Sequence, residues 1–142
     1  MRRFLLDTGV AGDFINRRRG IFERAQHEVS RGNPVGIGVS VLAELVYGVE
    51  HSASRDRNMQ RLMKAVAIWK VWPFDNKAAF EYGRIAAELR RLGRPMQQVD
   101  MQIAAIAFAL GNCTVVSGDS DLKAIPGLSV ADWAAEAAGH GP

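Results

Sequence analysis

Short, continuously apolar runs alternate with longer segments of helical periodicity along this chain, and this alternation constrains the fold more than any other feature. Three such runs are Phe4–Leu6, Val35–Val39 and Thr114–Ser117, each bounded by glycine, proline or charge. Strands that are buried on both faces of a sheet show this pattern, whereas half-exposed strands alternate apolar and polar residues. The sequence therefore predicts an α/β fold, with a short parallel central sheet between helical layers in a three-layer α/β/α arrangement.

The helices between these strands are predicted from apolar spacing and from helix breakers. Ser40 is the expected N-cap of a helix whose core face is formed by Leu42, Leu45, Val46 and Val49. Residues 76–92 form a long helix that stops at a Gly-Arg-Pro sequence. Residues 99–110 are apolar nearly all round, which predicts a central, buried helix. A last short strand is expected at Leu128–Val130.

The length of the chain bounds its organisation. With 142 residues, it is long enough for one domain that buries about two thirds of its unfolded surface. We assign residues 1–135 to a single domain and residues 136–142 to a flexible C-terminal tail, since that segment is short and rich in alanine and glycine.

Charge and cysteine content limit the possible partners and location. The net charge of +3 is a mild basic excess that is compatible with a polyanionic partner. Cys113 is the only cysteine, which excludes an intrachain disulfide and a multi-cysteine zinc site. The N-terminal apolar run is too short for a signal peptide, and no run approaches the length of a membrane span. The sequence therefore predicts a cytoplasmic protein without membrane attachment.

Carboxylates occur at or near the ends of several apolar elements, where a core-forming chain seldom places them. These residues are Asp7, Glu44, Asp100, Asp119 and Asp121. Four have a structural explanation alone: a cap or first-turn acid for Asp100, an Asx turn with a helix cap for Asp119 and Asp121, and a solvated helix position for Glu44. Asp7 is the hardest to explain in this way, because a serine would serve equally well as a cap there. The carboxyl ends of parallel strands meet at one edge of a sheet, however, and that edge would collect these acids. Such a group requires a cation, and a metal ion is the simplest one.

Carboxylate oxygens suit hard divalent ions such as Mg²⁺ or Mn²⁺, which bind through a few acids and substrate phosphate. Such ions activate water for phosphodiester hydrolysis without a protein nucleophile. The sequence offers no convincing Ser-His-Asp or Cys-His set, because its histidines lie in polar or terminal segments. They are His27, His51 and His140. The acids therefore favour metal-assisted hydrolysis.

Four segments resemble the PIN-domain ribonucleases, specifically the VapC toxins of bacterial toxin–antitoxin pairs. They are Leu5-Leu6-Asp7-Thr8, the Ser40–Gly48 segment, Asp100–Ala105 and Val116–Leu122, followed by Ile125–Leu128. The resemblance covers nearly the whole chain in order. It implies a type II toxin: a Mg²⁺- or Mn²⁺-dependent endoribonuclease that homodimerises and is held inactive by a VapB-type antitoxin.

The same resemblance implies roles for individual residues. Asp7, Glu44 and Asp100 match the three core acids of the family, and Asp119 matches the fourth, with Asp121 as a further metal ligand. Ser117 matches the small hydroxyl residue beside Asp119, and Thr8 is a supporting residue. Members often have Pro-Asn before the third acid, where this chain has Gln-Val, and either Asp119 or Asp121 can be the closer ligand. We rank Asp119 first.

Other functions compete with the nuclease. A catalytically silent PIN-fold module that binds RNA or protein would keep the fold without turnover, and metal dependence would separate the two. The Asp-Thr-Gly sequence at Asp7 also occurs in retroviral-type aspartic proteases, but those are β-rich, whereas helical periodicity dominates here. A haloacid dehalogenase-type phosphatase would need a second acid two residues after Asp7, where Gly9 stands.

Two basic groups are candidates for contact with a phosphate backbone. One is the Arg17-Arg18-Arg19 run with Arg24, and the other is the helical set Arg57, Arg61 and Lys64. A third charged group interleaves both signs at helical spacing, which is typical of a salt-bridged solvent face. Its members are Lys77, Glu81, Arg84, Glu88 and Arg91.

Overall fold

A single parallel sheet organises the molecule. The structure is a computed structural model and describes residues 1–139. The sheet has five strands in the order β3-β2-β1-β4-β5, and every neighbouring pair is parallel. The strands are β1 (Arg3–Leu6), β2 (Val35–Gly38), β3 (Lys70–Trp72), β4 (Cys113–Val116) and β5 (Val130–Ala131).

Helices connect the strands and complete the layers. They are α1 (Thr8–Ile15), α2 (Ile21–Ser30), α3 (Val39–Glu50), α4 (Arg55–Ile68), α5 (Asn76–Arg91), α6 (Gln98–Leu110), α7 (Ser120–Lys123) and α8 (Trp133–Gly139). The predicted three-layer α/β/α fold with a short parallel sheet is confirmed. Within residues 1–139, no helix is both long and apolar enough to cross a membrane.

The core lies on both faces of the central strands. Leu5 and Leu6 of β1 and Val115 and Val116 of β4 are completely buried. Helix α6 is buried along most of its length, as its composition predicted. Its buried residues are Ile103, Ala104, Ala105, Ile106 and Ala107. Burial on both faces explains why the strand sequences are continuously apolar.

The N-terminal strand is fixed in the middle of the sheet. On one side the backbone N–H of Phe4 donates to the carbonyl of Pro34, at 2.9 Å. On the other side the N–H of Arg3 donates to the carbonyl of Asn112, also at 2.9 Å. Strands from distant parts of the sequence thus enclose β1.

Strands β2 and β3 approach each other closely at Gly36, which pairs with Lys70. A Cβ atom at position 36 would overlap the backbone of Lys70. Glycine is therefore required at this position by the proximity of the neighbouring strand.

Two details differ from the sequence-based expectations. Helix α3 begins at Val39, and its N-cap is Gly38 without a side-chain cap bond, so the prediction of Ser40 as N-cap is wrong. The chain passes from β2 into α3 without a loop, which leaves Ser40 inside the first turn. Helix α8 includes residues 136–139, which we had assigned to the tail; there Glu136 pairs with Arg24 at 2.9 Å. Residues 140–142, including His140, lie outside the described residues.

Candidate active site

Asp7 lies where β1 ends, beside the end of β4. Leu6 is in register with Val116, and the backbone N–H of Asp7 donates to the Val116 carbonyl at 3.1 Å. The sheet order reverses between β1 and β4, which is where parallel α/β sheets usually bind ligands. Asp7 is also the N-cap of α1, because its Oδ1 accepts the N–H of Val10 at 2.8 Å. The sequence did not predict this capping role.

Ser117 connects two of the acids. It follows β4 directly and is completely buried. Its hydroxyl donates to the Asp7 carboxylate and accepts the backbone N–H of Asp119, at 2.9 Å for the latter. One buried hydroxyl therefore orients an acid from each of two adjacent strands.

Asp119 and Asp121 lie at the start of α7. Asp119 is its N-cap, and its Oδ1 accepts the N–H of Asp121 at 2.8 Å. The helix cap that was one explanation for Asp119 and Asp121 is therefore present in the structure. Capping uses one carboxylate oxygen and leaves the other available, since an ionised carboxylate has about four acceptor positions.

Glu44 belongs to the same edge through α3. The hydroxyl of Thr8, the first residue of α1, donates to Glu44 Oε1 at 2.6 Å. This contact ties α1 to α3 and restrains an otherwise exposed glutamate. Thr8 thus has a positioning contact with a predicted site residue.

Asp100, in the first turn of α6, shows that the acids share one electrostatic field. Its pKa is raised to about 6, first by burial of the carboxyl and then by the negative charges of four other acids. In decreasing order of effect these acids are Asp119, Asp7, Asp121 and Glu44. The structure therefore places the other four predicted acids near enough to raise the pKa of Asp100, and Asp119 does so more than Asp121 does.

The pKa of Asp7 is also raised. Burial of its carboxyl is the main cause, and the charges of Asp119 and Asp13 add to it. Hydrogen bonds from Ser117 and from the N–H of Val10 act in the opposite direction, because they stabilise the ionised form. Asp13, in α1, is a contributor that the sequence analysis missed; it lies inside a helical pattern and follows no strand.

The five acids are ligands of the type that a hard divalent cation prefers. All five side chains supply carboxylate oxygens, and their mutual repulsion is what a cation would relieve. In the part of the chain that the structure describes, no three acid, histidine or cysteine side chains form a compact ligand cluster. Mg²⁺ keeps several of its waters and typically uses only one or two protein carboxylates directly, so a looser arrangement suits it.

The raised pKa of Asp100 predicts a pH-dependent stability. Its pKa of about 6 lies above the ordinary value of 3.8, so the folded state holds this proton more tightly than the unfolded chain does. Ionisation of Asp100 therefore destabilises the metal-free fold as the pH rises through this window. We expect Asp100→Asn to match wild-type stability near pH 4 and to exceed it increasingly up to about pH 6.

Urea unfolding of both proteins in EDTA measures this difference in free energy of unfolding. Comparing the two proteins at each pH removes the contribution of carboxyl groups that do not interact with Asp100. A difference that stays constant between pH 4 and pH 7 would contradict the assignment. Excess Mg²⁺ should reduce the advantage of the variant at pH 7.

Comparison with known proteins places this geometry in a family. The family model for the PIN domain matches residues 4–128. The chain belongs to the PIN-domain family. All five candidate acids lie within the matched residues.

Sequence relatives place the PIN domain among the VapC nucleases. The tRNA(fMet)-specific endonuclease VapC of Salmonella typhimurium is 34% identical over 134 residues, covering 94% of this chain and 99% of that protein. Ribonuclease VapC2 of Rickettsia felis is 28% identical, covering 92% of this chain and 97% of the relative. This PIN domain is therefore a nuclease of the VapC type.

Solved structures agree in fold over the same length. A DNA-bound VapBC from Salmonella typhimurium matches with a TM-score of 0.85 and 34% identity, covering 94% of this chain and 99% of that one. VapBC2 from Rickettsia felis, bound to a DNA fragment from its promoter, has a TM-score of 0.85 and 29% identity, covering 92% of this chain and 98% of that one. The PIN domain therefore has the architecture of the VapC chains over nearly its whole length.

Proposed function

We propose that this protein is a Mg²⁺- or Mn²⁺-dependent endoribonuclease and the toxin of a type II toxin–antitoxin pair. The observation that supports it most is the electrostatic field around Asp100, where four other carboxylates act on one side chain. A cluster of this kind favours a divalent ion and, with it, a phosphodiester substrate. The VapC relatives named as ribonucleases support RNA as that substrate.

In this proposal the catalytic acids are Asp7, Glu44, Asp100 and Asp119, and the metal ligands are these four with Asp121. When bound, the metal would lower the pKa of a coordinated water for attack on the phosphodiester and stabilise the leaving oxygen. The stronger influence of Asp119 on both Asp7 and Asp100 favours Asp119 over Asp121 as the closer ligand.

The supporting residues hold these acids in place. Ser117 fixes Asp7 and Asp119 relative to each other through one hydroxyl. Thr8 holds Glu44 against the start of α1. Asp100, with a pKa of about 6, can hold or release a proton near neutral pH while the metal is absent. The residues thus supply orientation and negative charge.

Cleavage of a mixed cellular RNA pool tests the proposal. Antitoxin-free protein should give discrete fragments with Mg²⁺ or Mn²⁺, and EDTA should abolish them. Adding a cognate VapB-type antitoxin should suppress cleavage in the same assay. If the protein binds RNA but releases no fragments with either ion, the alternative of a catalytically silent PIN-fold module is favoured instead.

The partners follow from the same proposal. The similar Salmonella and Rickettsia structures are of VapBC, which supports a VapB-type antitoxin for this chain.

We also propose that this protein forms a homodimer and that it is located in the cytoplasm. Phe80 on α5 is 83% exposed, an apolar side chain that a second copy could cover. Light scattering should then give twice the 15.5 kDa mass of one chain, and a monomer at all concentrations would contradict the dimer.

A further inference from the structure

A groove leads away from the acids between α1, α3 and α4. Thr8 and Glu44 line it at the acidic end, and Asn16 and Arg61 line it as well. Thr8 and Asn16 lie at opposite ends of α1, so this groove extends about 12 Å along the helix. The groove therefore connects the candidate active site to the C-terminal end of α1.

Beyond this point the groove becomes basic. A second depression shares Ile15 and Arg61 with the first, and its cations are Arg17, Arg61 and Lys64. Its remaining lining residues are apolar: Phe14, Ile15, Ala65 and Ile68. Among the residues that the structure describes, no acidic side chain lines this second depression, so its three positive charges face the same space.

These three cations are available to a ligand, unlike other members of the same basic groups. Arg19 pairs with Asp13 at 3.4 Å, and Arg24 pairs with Glu28 and Glu136. Across residues 1–139, none of the three groove cations forms an ion pair, although other arginines and lysines do. Those pairs involve Arg19, Arg24, Arg31, Arg55, Arg84 and Lys123.

Two of the groove cations are nevertheless held in position. Arg61 donates to Asn16 Oδ1 at 2.5 Å, which fixes its guanidinium at the junction of the two depressions. The Arg17 guanidinium lies 3.2 Å from the centre of the Phe22 ring, a cation–π contact that leaves its N–H donors free. Preorganised arginines of this kind suit phosphate oxygens.

We propose that Arg61, Arg17 and Lys64 bind the phosphates of the single-stranded RNA on one side of the bond that is cut. This inference rests on the proposed ribonuclease function and extends it to a backbone-binding subsite. RNA is favoured because the basic groove is continuous with the acids that would engage the scissile phosphate. Ile68, 61% exposed beside the cations, offers an apolar contact for a base. The three residues bind and position RNA; they take no part in the chemistry.

The position of the subsite predicts its kinetic effect. Of these two depressions, Arg17 and Lys64 line the second and not the first, whereas Thr8 and Glu44 line the first and not the second. Removing the groove cations should therefore raise KM and leave kcat at saturating RNA close to wild type. A role in the chemistry would instead lower kcat.

The test is RNA binding and cleavage by the double variant Arg17→Gln/Lys64→Gln, because Arg61 also lines the depression that contains Glu44. Binding of a fluorescent single-stranded RNA is measured in EDTA at several salt concentrations. We expect the Kd to rise on the order of tenfold at low salt. The slope of the logarithm of the binding constant against the logarithm of salt concentration should become shallower by about 1.4, which is ~0.7 per lost phosphate contact. The same variant should show a raised KM in the metal-dependent cleavage assay.

Arg57→Gln is the control: the sequence groups Arg57 with Arg61 and Lys64, but in the structure it is exposed on the same helix and lines neither depression. It should leave Kd and KM unchanged. If wild type cleaves RNA and the double variant has wild-type Kd, KM and salt dependence, the subsite is refuted while the ribonuclease proposal stands. If the double variant binds the antitoxin more weakly than wild type but binds RNA equally well, the groove is a protein-docking surface and the inference is wrong. An inert wild type would refute the function instead, and the binding measurement in EDTA would still decide the subsite.

Discussion

Replacing Asp7 by asparagine should abolish RNA cleavage and leave the fold intact. Asp7 is the most buried of the predicted acids, and it is linked to Asp119 through Ser117. Asparagine removes the negative charge that a metal requires, so we expect a loss on the order of a thousandfold or more, equivalent to ~4 kcal/mol of activation free energy. Initial rates of RNA cleavage at saturating Mg²⁺ measure it.

The stability of this variant should not fall, because asparagine also serves as an N-cap and can accept the N–H of Val10. Asparagine is also uncharged, so the variant does not bury the carboxylate charge whose burial raises the pKa of Asp7. Asp7→Ala is the matched variant: it should lose cleavage equally and also lose about 1 kcal/mol of unfolding free energy with the cap. Full cleavage by Asp7→Asn would remove Asp7 from the catalytic set.

Gly36→Ala should be among the most destabilising single substitutions in the chain. The added Cβ would overlap the carbonyl oxygen and neighbouring backbone atoms of Lys70, and a backbone cannot move aside as a side-chain tip can. Strand β3 would have to separate from β2, which disrupts the pairing of both strands. We expect a loss of about 3 kcal/mol or more, measured by urea unfolding.

Gly38→Ala, two residues later on the same strand, is the control. Its Cβ would approach only the Cδ1 atom of Ile106, at 2.6 Å, which is the end of a flexible side chain. Its backbone is extended, with φ of −86°, so alanine fits the conformation. The loss should be clearly smaller, about 1 kcal/mol. Equal losses for the two variants would show that the close approach to Lys70 is not the cause.

The fold could be predicted from sequence because burial on both faces leaves a clear pattern. Strands β1 and β4 contain no polar residue apart from Arg3 and Thr114, and a parallel sheet between helices buries strands in this way. The candidate site followed from this topology, since Asp7 and Asp119 come just after two adjacent strands. Their proximity required no knowledge of side-chain geometry.

Other features depend on how the helices pack in the folded chain, which the spacing of residues in the sequence does not encode. Glu28 is 3% exposed although nothing in its helix predicts burial; Arg24 and Arg31 neutralise it, and Asn33 donates to it at 3.1 Å. It is a buried acid outside the candidate site. The availability of Arg61 and the pairing of Arg24 were equally hidden, because basic residues look alike in sequence.

The central position of β1 also sets the order in which the nuclease can assemble during translation. Strand β1 leaves the ribosome first, and β2 reaches it after about thirty residues, but β4 begins only at Cys113. Until then one edge of β1 has no partner, and Asp7, Glu44 and Asp100 exist without Asp119. Parallel pairing over such sequence distances forms late in folding. A ribosome that synthesises this chain is thus not exposed to a completed RNA-cutting site until most of the protein has been made.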